Sequence, residues 1–133
     1  MEHLSDQQIG ILRAKLEAEA ADLTDRLNAD GQEMIENLNP DPGDIEDSAQ
    51  ADAMRFRSKS LLDRDQARLA EVEAALDRIT AGTYGICEDT DEPIPFRRLE
   101  LEPTTRFTVE AQEVREREAR EREAPGEEPP VGY

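Results

Sequence analysis

Four positions in the last third of the chain, Cys87, Thr90, Thr108 and Ala111, repeat the spacing with which structural zinc sites place their sulfurs. They form two pairs, each with two residues between its members, separated by a longer insert. A closed tetrahedral zinc site needs four strong donors, and here only Cys87 is one. One thiolate, two hydroxyls and a methyl group do not complete the shell. Zinc is therefore not expected, and other forces must hold the segment together. Cys87 is either a buried apolar filler, the common fate of an unpaired cysteine, or a redox-sensing thiol. Glu88, Asp89 and Asp91 favour the filler, because neighbouring carboxylates raise a thiol pKa and slow oxidation. Thr108 has a second role available as the N-cap of a helix.

A second candidate is Asp44-Ile45-Glu46-Asp47-Ser48-Ala49. Its aspartates suit the start of a helix, where Asp47 and Gln50 make a D-x-x-Q capping box and acids meet the positive end of the dipole. The sharper alternative is that the carboxylates are presented at the end of a rod to reach into a partner. Catalysis is not expected. There is no Gly-rich phosphate loop and no histidine cluster, the one histidine being His3, in a terminus expected to fray.

The elements that carry these residues read as mainly α. Ser5 and Gln8 form a capping box, after which Ile9, Leu16 and Leu23 recur every seven residues, with Leu12, Ala20 and Leu27 beside them. That is a coiled-coil seam, predicted to run from Ser5 to about Leu38. Asn39-Pro40-Asp41-Pro42-Gly43-Asp44 forces a turn. A second helix to about Ala81 follows, with Leu62, Leu69 and Leu76 spaced by seven, Val72 and Ile79 likewise, and Gly82 as its C-cap. The two must fold back as a long antiparallel helical hairpin over residues 1–82, with its tip at 39–49. Residues 83–112 read as a small degenerate zinc-ribbon-like globular knob with room for one β-hairpin, too small to stand alone and so packed on the base of the hairpin. From about Thr108 the pattern turns helical again, and residues 113–124 form a separate C-terminal helix. It is polar almost all round, with acid-before-base pairs Glu113–Arg117, Glu116–Arg120 and Glu118–Arg122. Residues 125–133 are expected to be a disordered tail.

Charge narrows the function. Asp plus Glu number 33 against 16 Lys plus Arg, a formal net charge of −17. Such a field repels phosphate backbones, so direct DNA binding is not expected. A protein partner with a basic surface or a basic channel fits better. No apolar run is long enough to cross a membrane, no signal peptide is visible, and a lone cysteine cannot form an internal disulfide. A cytoplasmic monomer is expected.

The tip D-x-x-D-x-A, Tyr84-Gly85-Ile86-Cys87, Glu92-Pro93-Ile94-Pro95, Arg97-Arg98-Leu99-Glu100 and Pro103-Thr104 together resemble the DksA/TraR family of bacterial RNA polymerase-binding regulators. The resemblance implies a transcription regulator that inserts its hairpin through the secondary channel of core RNA polymerase and works with ppGpp in the stringent response. It makes Asp44, Asp47 and Ala49 the effector residues and Arg64 a contact to polymerase or nucleotide. Glu71 stands where a basic residue is usual, which counts against a full ppGpp response. Arg97 and Arg98 either face the rim of the channel or pair with nearby acids. Cys87, Thr90, Thr108 and Ala111 are degenerate zinc-ligand positions, so the chain looks like one of the zinc-independent paralogues. The alternative from another class is a structural coiled-coil adaptor with no effect on polymerase.

Overall fold

The computed structural model describes residues 1–37 and 48–123. Over these the chain forms α1 (Asp6–Asn37), α2 (Ser48–Ala81), α3 (Phe96–Leu101) and α4 (Val109–Glu123), with no strand among the described residues. The expected cap at Asp47, the turn before it and the tail at 125–133 lie outside them.

The capping box forms as read. Gln8 N–H donates to the Ser5 hydroxyl and Ser5 N–H to the Gln8 side-chain oxygen, both at 3.0 Å. From there α1 runs 32 residues, about 48 Å at the standard rise. α2 ends where Gly82 takes φ +79°, which lets Thr83 N–H and Tyr84 N–H turn back onto the Arg78 carbonyl at 3.0 and 3.2 Å.

α1 and α2 are antiparallel, as two cross-seam ion pairs show: Glu19 with Arg68 and, later on α1 but earlier on α2, Arg26 with Asp65. The seam is less regular than the heptad reading. α1 contributes Leu12, Leu16 and Leu23, all fully or nearly fully buried, but α2 contributes Val72, Ala75 and Ile79. Leu69 and Leu76 pack beside this core, half-buried. Among the described residues, the fully buried seam residues run from the end nearest the knob to no further than Leu23, at the middle of α1. Towards the tip the described inward positions, Leu27, Arg55, Ser58 and Leu62, are only half-buried.

The knob packs on that base, as expected. Tyr84, Cys87, Ile94 and Leu99 join the seam residues in one core. Its expected β-hairpin reduces to a single bridge between Ile86 and Pro93, closed by Cys87 N–H to Glu92 O (2.8 Å) and Ile94 N–H to Gly85 O (2.7 Å). Asp91, in the turn, takes φ +60°, a conformation short polar side chains tolerate. Arg97-Arg98-Leu99-Glu100 forms α3 instead of an irregular segment.

Two sequence expectations fail here. The N-terminus does not fray: Leu4 is 6% exposed in the core, and the His3 ring Nε2 is 2.8 Å from the Ile94 carbonyl oxygen. Gly85, at φ +80°, admits this strap, since a Cβ there would lie 3.1 Å from Leu4 and 3.3 Å from His3. The last helix begins at Val109, next to the start read at about Thr108, and takes in residues 113–123 without a break. Finally, the three acid-before-base pairs on α4 are not closed as ion pairs, and Arg115 crosses to the knob instead.

Candidate functional site

The two pairs with zinc-site spacing do come together. Cys87 follows the Ile86 bridge and Thr108 opens α4, and the Thr108 hydroxyl lies 3.8 Å from the Cys87 sulfur. The same Thr108 oxygen accepts from Ala111 N–H at 3.2 Å, the N-cap bond expected of it. Cys87, Thr108 and Ala111 are buried, while Thr90 is exposed at the turn, its hydroxyl accepting from Glu92 N–H at 3.4 Å. The donor set does not fit zinc: the Thr108 oxygen already caps a helix, and Ala111 brings a methyl group. Among the described residues no three His, Cys, Asp or Glu side chains converge as a metal set.

The thiol behaves differently from the sequence reading. Burial pushes its pKa up, but the Thr90 hydroxyl and the backbone N–H groups of Thr108, Thr90 and Asp89 outweigh this and bring it down to about 7. Two of the three carboxylates expected to raise it are engaged by arginines. Asp89 takes a bidentate bond from Arg115 at 2.5 and 2.6 Å, and Glu88 pairs with Arg106 at 3.3 Å. Arg115 also lies over the Phe107 ring, 4.2 Å from its centre. Together with Glu88 N–H to Arg106 O at 2.9 Å, these links tie the two arms that zinc would otherwise bridge.

A second set of links fixes the knob to the shaft. Arg68 of α2 donates twice to Glu19 (2.6 and 2.9 Å), once to Thr104 (2.9 Å) and to Glu71 (3.4 Å). The Glu19 carboxyl is held below its ordinary range by the Arg68 hydrogen bond. Tyr84 donates its hydroxyl to the Pro103 carbonyl at 2.7 Å, and burial pushes its pKa up to about 12. Arg98 is a loop clamp, bonded to Phe107 O at 2.9 Å and Thr105 at 3.3 Å, so its expected ion pairing shrinks to a 4.0 Å approach to Glu102. Arg97 is exposed. A groove of about 910 Å³ opens between α2 and the start of α4, where Arg68, Arg78 and Arg98 meet Glu71, Glu102 and Glu113.

Of the effector candidates, Asp44 and Asp47 lie outside the described residues. Ala49 is exposed on the first turn of α2, and Arg64 is exposed on its shaft. Arg68 was missed by the sequence reading. Its signal was weak: an arginine three residues before an acid on one helix, with a partner 49 residues away on another.

Residues 82–117 match the family described as Prokaryotic dksA/traR C4-type zinc finger. Over 117 residues the chain is 32% identical to the RNA polymerase-binding transcription factor DksA of Caulobacter vibrioides, covering 86% of this chain and 80% of that one. It is 27% identical over 122 residues to the protein of the same name from Escherichia coli, covering 87% and 78%. Among solved structures, transcription factor DksA2 from Pseudomonas aeruginosa shares the fold at a TM-score of 0.79 and 31% identity, over 87% of this chain and 88% of that one. The likeness thus reaches well beyond the knob and along the hairpin, and the chain belongs to the DksA/TraR family.

Proposed function

We propose that this chain is a transcription factor that binds RNA polymerase, placing its hairpin tip in the secondary channel and modulating initiation without needing zinc. The carrying observation is the layout of α1 and α2. α1 ends before the D-x-x-D-x-A segment, α2 begins at Ser48 within it, and a small knob packs at the other end of both helices. The relatives named as polymerase-binding factors match this layout over most of their length. No catalysis is assigned: Asp44, Asp47 and Ala49 act by contact. Zinc independence is supported by the donor set at Cys87, Thr90, Thr108 and Ala111, and by the polar links that join the same two arms.

Arg64 is the contact proposed for polymerase or ppGpp. Glu71 draws on Arg68, which Glu19 and Thr104 already hold, so this face offers less positive charge to a polyphosphate. A weak ppGpp response is the expected result. The protein acts as a cytoplasmic monomer in this reading and makes no direct contact with DNA.

In vitro transcription from a ribosomal promoter, with and without ppGpp, tests the proposal. Wild-type protein should alter transcript yield, and Asp47→Asn should abolish the effect while retaining polymerase binding, because Asn caps a helix about as well as Asp. If Asp47→Asn regulates normally, the tip carboxylate is only structural. If the wild-type chain neither binds polymerase nor changes transcription, it is an adaptor.

A further inference from the structure

α2 joins the hairpin core only in its second half, and its first half exposes large apolar side chains that no part of the described chain covers. Met54 is 65% exposed, Phe56 75% and Leu61 44%. Isolated surface apolar residues need no explanation, but these three lie within eight residues of one helix and are interleaved with cations. Between residues 50 and 64 there are four cations, Arg55, Arg57, Lys59 and Arg64, against two acids, Asp52 and Asp63. This is a local excess of positive charge in a chain of net charge −17. Arg55 is bound to Asp52 at 3.0 Å. Among the described residues, Arg57, Lys59 and Arg64 have no ion-pair partner, and all three are exposed.

The helical period distributes these groups around the rod. At about 100° per residue, Met54, Arg57, Leu61 and Arg64 fall within about 80° of one another, forming a ridge in which apolar and basic side chains alternate. Phe56 lies about 200° from Met54, on the other flank, with Lys59 and Asp63 near it. A flat partner could cover only one flank. A concave wall would cover both.

We propose that residues 54–64 form an apolar–basic collar that binds an acidic, apolar-lined concave surface on a protein. This rests on the polymerase-binding reading and names the chemistry of the wall met by the shaft below the tip. Charge complementarity identifies the occupant: exposed cations on a strongly acidic chain select carboxylates presented at close range, where longer-range repulsion from the rest of the chain is screened. Phe56 and Met54 supply the apolar area that such an interface desolvates. A nucleic acid would be attracted by the cations, but it would leave Met54 and Leu61 in water and would meet the full net negative charge.

The test measures binding of the full chain to core RNA polymerase, at low and high salt, and binding to a duplex DNA probe in parallel. Two double variants are used, Met54→Gln with Phe56→Gln and Arg57→Gln with Lys59→Gln. Glutamine keeps helix propensity, and helical content and Tm confirm the fold. The apolar pair should weaken polymerase binding about tenfold or more at either salt concentration. The basic pair should weaken it mainly at low salt and flatten the salt dependence. If wild-type protein binds polymerase and both variants bind equally well, the collar is wrong while the proposed function stands. If wild-type protein does not bind polymerase, the proposed function falls and the collar with it. If the variants lose only binding to DNA, the surface serves nucleic acid and the proposal is overturned.

Discussion

The base of the hairpin and the knob are adjacent and share one core, yet they are held by opposite means. The seam rests on area: Leu12, Leu16, Leu23, Val72 and Ile79 are interchangeable in kind, and burying them is favourable wherever their exact atoms lie. The knob rests on particular bonds, such as Tyr84 to Pro103, Arg98 to Phe107 and Arg115 to Asp89, each of which works in one geometry only. A region that has lost its metal ligands can keep its fold if enough such bonds span the same gap, but it then has no single point of failure. The hairpin should fail through its core. The knob should loosen bond by bond.

The largest expected effect is on the seam. Leu16→Ala should cost about 2–5 kcal/mol by removing buried contacts and leaving a cavity. Urea denaturation followed by far-UV circular dichroism measures it, and a loss under about 1 kcal/mol would show that the hairpin repacks freely. In the knob, Thr108→Ala should cost about 1 kcal/mol through the lost N-cap, with Thr108→Ser restoring most of it. Equal stability for Ala and Ser would mean that the hydroxyl links neither the helix nor the sulfur.

A smaller effect concerns pH. The Cys87 pKa lies at about 7 in the folded chain, below its ordinary value of 9.0. A folded-state pKa that is depressed contributes stability above the unfolded value and loses it as pH falls through the folded value. Tm should therefore rise between about pH 7 and pH 9 in wild-type protein relative to Cys87→Ser. Parallel Tm curves for the two would show that the thiolate is not favoured. The smallest expected effect is none: chelator should leave the knob's melting unchanged. One tightly held zinc per chain, with melting on its removal, would make the polar links insufficient and the comparison false.

Much of this architecture was readable because helices advertise themselves by period. The capping box, the seam, the Gly82 stop and the Thr108 cap all depend on residues a few positions apart, and all four are present. The knob's links were not readable because they join residues 9 to 26 positions apart, outside any helical period, through backbone carbonyls or bidentate pairs. The Cys87 pKa was misjudged for a related reason. Sequence displays the carboxylates at Glu88 and Asp89 but not the backbone N–H groups aimed at sulfur, nor the arginines that draw those carboxylates away. α3 was missed because six residues are too few to show a period. The α2 leucines were read as filling the seam because spacing reports a stripe, not which edge of it faces the partner helix; Val72, Ala75 and Ile79 are the buried edge.

The His3–Ile94 bond spans 91 residues. It belongs to the most non-local set of contacts in a chain otherwise built from local helical turns, and closing so long a loop carries an entropic cost that must be met before the contact returns anything. During synthesis residues 1–4 emerge long before the surface they cover, which needs Gly85, Ile94 and Leu99 to be in place. The strap can therefore close only after the knob has been translated. A nascent chain halted inside α2 would display both its uncovered seam leucines and an unclosed N-terminal segment to the quality-control machinery.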